Sequence, residues 1–143
     1  MAVIGNVLWL LLGGLWLALG YAAAGLFACV LVITIPFGIQ AFKLAGFTLW
    51  PFGRAMVPRP GADPAMSMVG NIIWVVVAGI WLAIGHLIAA ALNAATVILL
   101  PFAVAHLKLA GASLTPFGHV IVPIGEARRG PEGPAVVVEP LGS

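Results

Sequence analysis

The chain is written twice. From Gly5 to Pro58, and again from Gly70 to Pro123, one pattern runs at a constant offset of 65 without a gap, and 23 of the 54 paired positions are identical. Gly5-Asn6-Val7-Leu8-Trp9 returns as Gly70-Asn71-Ile72-Ile73-Trp74, and Gly14-Leu15-Trp16-Leu17-Ala18-Leu19-Gly20 as Gly79-Ile80-Trp81-Leu82-Ala83-Ile84-Gly85. Pro36-Phe37, Lys43-Leu44-Ala45-Gly46 and Pro51-Phe52-Gly53 return as Pro101-Phe102, Lys108-Leu109-Ala110-Gly111 and Pro116-Phe117-Gly118. A fixed period with apolar content describes a duplicated membrane unit.

The content is what places it in lipid. Hydrophobic residues make up 63% of the chain and charged ones 7%, where soluble domains carry about a quarter charged. No charge lies between Met1 and Phe42, and none between Pro64 and Leu107. Such runs exceed the roughly 18 residues that mark a spanning helix, and they offer no polar face to a soluble fold. The start lacks the basic n-region of a cleavable signal, so the first run is expected to remain as an anchor. Cys29 stands alone, which leaves no internal disulfide or Cys-based metal cluster and suits a small core-filling residue. The net charge of +2 does not point to nucleic acid. Its Lys and Arg lie scattered just outside the apolar runs, as positive-inside loops require.

Each charge-free run is about 40 residues long, and one crossing takes about 20. Two crossings per copy are therefore expected, turning at Gly20-Tyr21 and Gly85-His86, with helices near 3–20, 22–42, 65–85 and 87–107. This count puts Lys43, Arg54, Arg59, Lys108, Arg128 and Arg129 on one side, with both termini in the cytoplasm. The rival bends at Pro36 and Pro101 and gives one long and one shallow helix per copy. The expected fold is all-α integral membrane: two tandem parallel repeats, four transmembrane helices, and a short interfacial helix after each pair. Its divisions are 1–58, a Pro-rich cytoplasmic linker 59–67, 68–123, and a flexible cytoplasmic tail 124–143. Asp63 before Pro64 reads as a helix N-cap. Within the tail, Ala135-Val136-Val137-Val138 can dock as a strand on a partner.

Ile35-Pro36-Phe37-Gly38-Ile39-Gln40, Phe42-Lys43-Leu44-Ala45 and Leu49-Trp50-Pro51-Phe52-Gly53 together resemble the YccF family, bacterial membrane proteins built from two inner-membrane component domains. The likeness covers residues 4 to 58 and 69 to 123. It implies a multi-pass protein of the bacterial inner membrane and no particular activity. The second copy departs from the pattern: Ala103, Ala105 and Thr115 replace Gly38, Gln40 and Trp50, while His106 and His119 stand for Ala41 and Arg54.

The predicted membrane region holds no Asp or Glu, so carboxylate relays and cation sites of the usual transporter kind have no residue to use. Phosphate-loop, zinc-helix and nucleophile-elbow motifs are missing as well. We expect no enzyme, no cofactor and no metal. His86 and His106 are expected at the wet interface. Lys43 and Lys108 are candidate anchors to lipid headgroups, anionic ones included. Asn6, Asn71 and Gln40 are candidates for polar packing or a solute path. Gly14 with Ala18, and Gly79 with Ala83, have the four-residue spacing of close helix contacts. Partners are then membrane lipids and other membrane subunits or further copies, without nucleic acid. Four short spans enclose little on their own. The expected role is an accessory or stabilising component acting through helix association, with a homo-oligomeric channel or small-solute transporter as the alternative.

Overall fold

The computed structural model describes residues 2–30, 32–130 and 135–141. The first apolar run forms α1 (Ala2–Val30), kinked at Gly13, whose φ of 130° lies outside the helical region. The chain reverses into α2 (Ile35–Leu49), with Pro36 in its first turn, and continues as strand β1 (Arg54–Pro58). The second copy repeats this as α3 (Pro64–Ala94), α4 (Leu100–Ala112) and β2 (His119–Pro123). A short helix α5 (Ile124–Ala127) and strand β3 (Val136–Val138) follow. Proline opens α2 and α4 because its missing N–H has no helical partner to lose in the first turn.

Two helices, α1 and α3, are long and apolar enough to cross a membrane, at 29 and 31 residues. The turns expected at Gly20-Tyr21 and Gly85-His86 do not occur. Both dipeptides lie inside the long helices, and the chain reverses after Val30 and Ala94, near the prolines. Each copy has one long and one shorter helix, and Pro36 and Pro101, where the rival placed its bends, stand in the first turns of α2 and α4. In an apolar helix, glycine serves close approach as readily as a turn. A Cβ on Gly85 would stand 3.0 Å from Leu17 Cδ2, and one on Gly20 would stand 4.0 Å from Leu82 Cδ2. The two glycines therefore mark where α1 and α3 cross.

Helix α2 packs back on α1, and α4 on α3, so each copy is a helical hairpin. A Cβ on Gly38 would lie 2.4 Å from Cys29 Sγ, which shows how closely the first hairpin's arms approach. The short helices are thus the return arms of the hairpins.

Strands β1 and β2 pair antiparallel, with Met56 opposite Ile121. These two residues are 65 apart, and so are Tyr21 and His86, which meet at the helix crossing. Two contacts between equivalent positions define an approximate two-fold axis running from the crossing to the sheet. The repeated motifs interlock across that axis. Phe37 of the first Pro-Phe packs on Phe117 of the second Pro-Phe-Gly, centroids 5.1 Å apart, and Phe102 packs on Phe52 at 5.7 Å.

Strand β3 adds to the other edge of β1, giving the order β2-β1-β3. The tail expected to be flexible is held here: Val138 is buried, and Leu141 reaches the surface of Gly5. Three consecutive β-branched valines favour an added strand, on this chain's own sheet. The parts of the tail at 131–134 and 142–143 lie outside the described residues. Within the linker 59–67, the Asp63 side chain accepts from the Met66 N–H at 2.9 Å and caps α3.

Candidate functional site

A buried polar cluster sits where α1 and α3 cross. Tyr21 Oη lies 3.1 Å from His86 Nε2, and His86 Nδ1 lies 3.1 Å from His106 Nδ1. Tyr21 is 1% exposed and both histidines 0%. The Trp9 ring lies 4.0 Å from the His106 ring, between centroids, and closes the cluster toward the sheet.

Two imidazole nitrogens facing each other require one to donate and the other to accept. Either tautomer of His86 completes the cluster: with its proton on Nδ1 it donates to His106 and accepts from Tyr21, and with its proton on Nε2 it donates to Tyr21 and accepts from His106. Among the described residues no group of three or more His, Cys, Asp or Glu converges to hold a metal ion. His106 Nε2 is buried with no hydrogen-bond partner.

Removing the hydroxyl with Tyr21→Phe leaves His86 Nε2 buried and unpaired, a loss of about 1–3 kcal/mol. Thermal unfolding in detergent should show a lowered midpoint. An unchanged midpoint would mean that the pair contributes nothing to stability.

The sequence reading put Tyr21, His86 and His106 at wet turns or interfaces. The structure buries all three, because two polar groups on crossing helices satisfy each other more readily than either reaches water. The available signal was that Tyr21 and His86 occupy the same position in the two copies, each directly after a glycine.

The candidate packing residues have specific tasks. Asn6 donates to the Phe52 carbonyl at 3.1 Å and accepts from the Phe52 N–H at 2.9 Å. Asn71 does the same to Phe117, at 3.2 and 2.9 Å. Each asparagine holds its own copy's Pro-Phe-Gly turn, and Asn71 also borders a large surface groove. Gly14 and Gly79 receive indole rings: a Cβ on Gly14 would fall 1.9 Å from Trp9 Nε1, and one on Gly79 would fall 2.7 Å from Trp74 Cδ1. A π-helical turn over Leu10–Gly14, and again over Val75–Gly79, brings residues five apart together. The rings then donate to the Thr48 and Ser113 carbonyls, both at 2.7 Å. Ala18 and Ala83 are buried one turn from the Tyr21–His86 contact. Gln40 is half-buried, with Oε1 unpartnered.

The two lysines differ. Lys43 Nζ donates to the carbonyls of Pro116 at 2.5 Å and His119 at 2.7 Å, so it ties the first copy to the second instead of reaching headgroups. Replacing it with methionine removes two charge-assisted bonds, each worth about 1.5–3 kcal/mol. Hydrogen exchange at β2 should rise while exchange at the helix crossing stays unchanged. Lys108 stays half-exposed in a groove beside Glu139.

Charge gathers at the sheet end. Arg54 and Arg59 flank β1, Lys43 reaches β2, and Arg128 pairs with Glu139 at 2.9 Å. The hairpin tips carry apolar side chains: Phe27, Val30, Val32, Val97 and Ile98 are exposed there, with Ile98 bordering a groove that Lys108 and Glu139 also line.

Residues 4–54 and 69–119 match the YccF inner membrane component domain, once per copy. The inner membrane protein YccF of Escherichia coli (strain K12) is 43% identical over 60 residues, covering 42% of this chain and 40% of that protein. The Shigella flexneri protein of the same name matches to the same extent. The aligned stretch thus spans less than half the length of these relatives. No solved structure matches.

Proposed function

We propose that this chain, which belongs to the YccF family of inner membrane component domains, is a non-enzymatic integral component that supports a membrane complex through helix association. The observation that carries this reading is the filled crossing. Trp9, Tyr21, His86 and Trp74 occupy the space between the copies, each 2% exposed or less. Among the described residues these side chains fill the crossing, while the faces of α1 and α3 carry Trp16 and Trp81 at 74% and 67% exposure. Large side chains on an outer helix face suit contact with lipid or with another spanning helix.

In this reading both hairpins enter from the cytoplasmic side. The long helices cross, at about 45 Å for 1.5 Å per residue against a core of about 30 Å. The short helices cover roughly 20 Å, and the extended Pro-Phe-Gly segments complete the return. Basic residues then stay at one surface, with both termini in the cytoplasm. Reporters fused after Pro60 and after Ser143 should both read cytoplasmic; opposite readings reject this topology.

Mild extraction followed by native mass spectrometry tests the role. Co-purification with other membrane subunits in fixed ratio supports it. A closed ring of this chain alone would favour the channel reading and reject the accessory one.

A further inference from the structure

The two repeated lysines have different surroundings. Lys43 gives its ammonium to the Pro116 and His119 carbonyls at the start of β2. The equivalent start of β1 is flanked on both edges, with Arg54 opposite Pro123 of β2 and Val138 of the tail. Among the described residues Lys108 has no hydrogen bond and no ion pair. Its side chain borders a groove of about 530 Å³ formed by α4, the start of α1 and the tail.

We infer that this groove seats one anionic glycerophospholipid of the cytoplasmic leaflet, its phosphate on the Lys108 ammonium and an acyl chain along the apolar wall toward Leu99. Charge defines the head. Glu139 borders the same groove, but Arg128 holds it at 2.9 Å, so the uncompensated charge is the one on Lys108. A lipid phosphate at the membrane surface supplies the matching anion.

The wall defines the tail. Pro101 and Val104 stand seven and four residues before Lys108, on the same face of α4, and both are exposed. Leu8 of α1 and Leu141 of the tail line the groove as well. An inorganic phosphate on Lys108 would leave that hydrocarbon uncovered, whereas an acyl chain covers it. Length agrees with this reading. Leu99, at the opening of α4, lies nine residues before Lys108, roughly 14 Å at 1.5 Å per residue. That is close to half of a hydrocarbon core of roughly 30 Å, so a chain anchored at Lys108 runs the depth of one leaflet. The volume falls within the roughly 300–1,000 Å³ of ligand sites.

This seat rests on the orientation proposed above, which puts the basic residues at the cytoplasmic surface. Its test is a titration of delipidated full-length protein in detergent with phosphatidylglycerol, counted by native mass spectrometry. One phosphatidylglycerol per chain should be retained in preference to phosphatidylcholine. Lys108→Ala should weaken binding about fivefold, the contribution of one basic residue near an anionic surface. Arg59→Ala removes the same charge at an exposed site outside the groove and should leave binding unchanged. Val104→Trp, at a position 48% exposed, fills the groove without altering charge and should also weaken binding. A phosphatidylglycerol with a diazirine at the end of an acyl chain should crosslink to residues 98–101.

Equal losses from Arg59→Ala and Lys108→Ala would mean diffuse attraction and would overturn the seat. So would full affinity in Lys108→Ala, equal retention of phosphatidylcholine, displacement by millimolar inorganic phosphate, or crosslinks confined to the faces around Trp16 and Trp81. The fusion reporters test the orientation by itself, so loss of the lipid leaves their reading, and any co-purified subunits, unchanged.

Discussion

Gly14→Ala is expected to destabilise the protein by about 3 kcal/mol or more, the largest effect of any single added methyl group. The new carbon would fall 1.9 Å from Trp9 Nε1, a ring that is 0% exposed and bonded to the Thr48 carbonyl at 2.7 Å. An indole in that position cannot yield slightly. It must leave, and its contacts with Phe52, Phe102 and His106 leave with it. Gly79→Ala meets Trp74 at 2.7 Å and the Ser113 carbonyl at 3.0 Å, so its effect has the same sign and a smaller size. Gly46→Ala and Gly111→Ala provide the controls. Nothing lies within 4 Å of a Cβ at either, and both are helical. Each should stabilise by up to about 1 kcal/mol through helix propensity. Chemical unfolding in detergent, followed by tryptophan emission, measures all four. A Gly14→Ala midpoint equal to that of Gly46→Ala would refute the indole seat.

That prediction also shows where the sequence was readable. The repeat, the apolar runs, the Asp63 cap and the prolines opening α2 and α4 depend on local composition or backbone chemistry, so one copy of the pattern reveals them. The reversal point was misplaced because glycine serves two purposes in lipid. At Gly20 and Gly85 it opens room for Leu82 and Leu17 on the neighbouring helix, and only the partner helix distinguishes that from a turn. The Gly14–Ala18 spacing was taken for helix contact, whereas the decisive spacing is the five residues from Trp9 to Gly14. A π-helical turn is a tertiary response to the ring and carries no periodic signal. Lys43 was assigned to headgroups for a related reason. Its partners lie 73 and 76 residues away, and only the two-fold packing brings them within reach.

Asn6→Leu should cost about 2–5 kcal/mol, because it strands two main-chain groups at once. Asn6 is 0% exposed, and its amide serves both the N–H and the carbonyl of Phe52. Leucine fills the space and satisfies neither group. Asn71→Leu removes the same pair of bonds at Phe117, but that site is only part-buried, so water can take over one of them and the loss is smaller. Asn6→Asp separates donor from acceptor. It keeps a partner for the Phe52 N–H yet turns a carboxylate oxygen toward the Phe52 carbonyl, so it should be at least as damaging as leucine. The effect should also spread in one direction. Phe52 leads directly into β1, whose edges hold β2 and the tail strand, so releasing the turn loosens the sheet before the helix crossing. Hydrogen exchange should therefore rise first at Arg54–Pro58 and Val136–Val138, with the Tyr21–His86 region protected until global unfolding. Equal losses from Asn6→Leu and Asn71→Leu would contradict this account, since burial is the main difference between the two clasps.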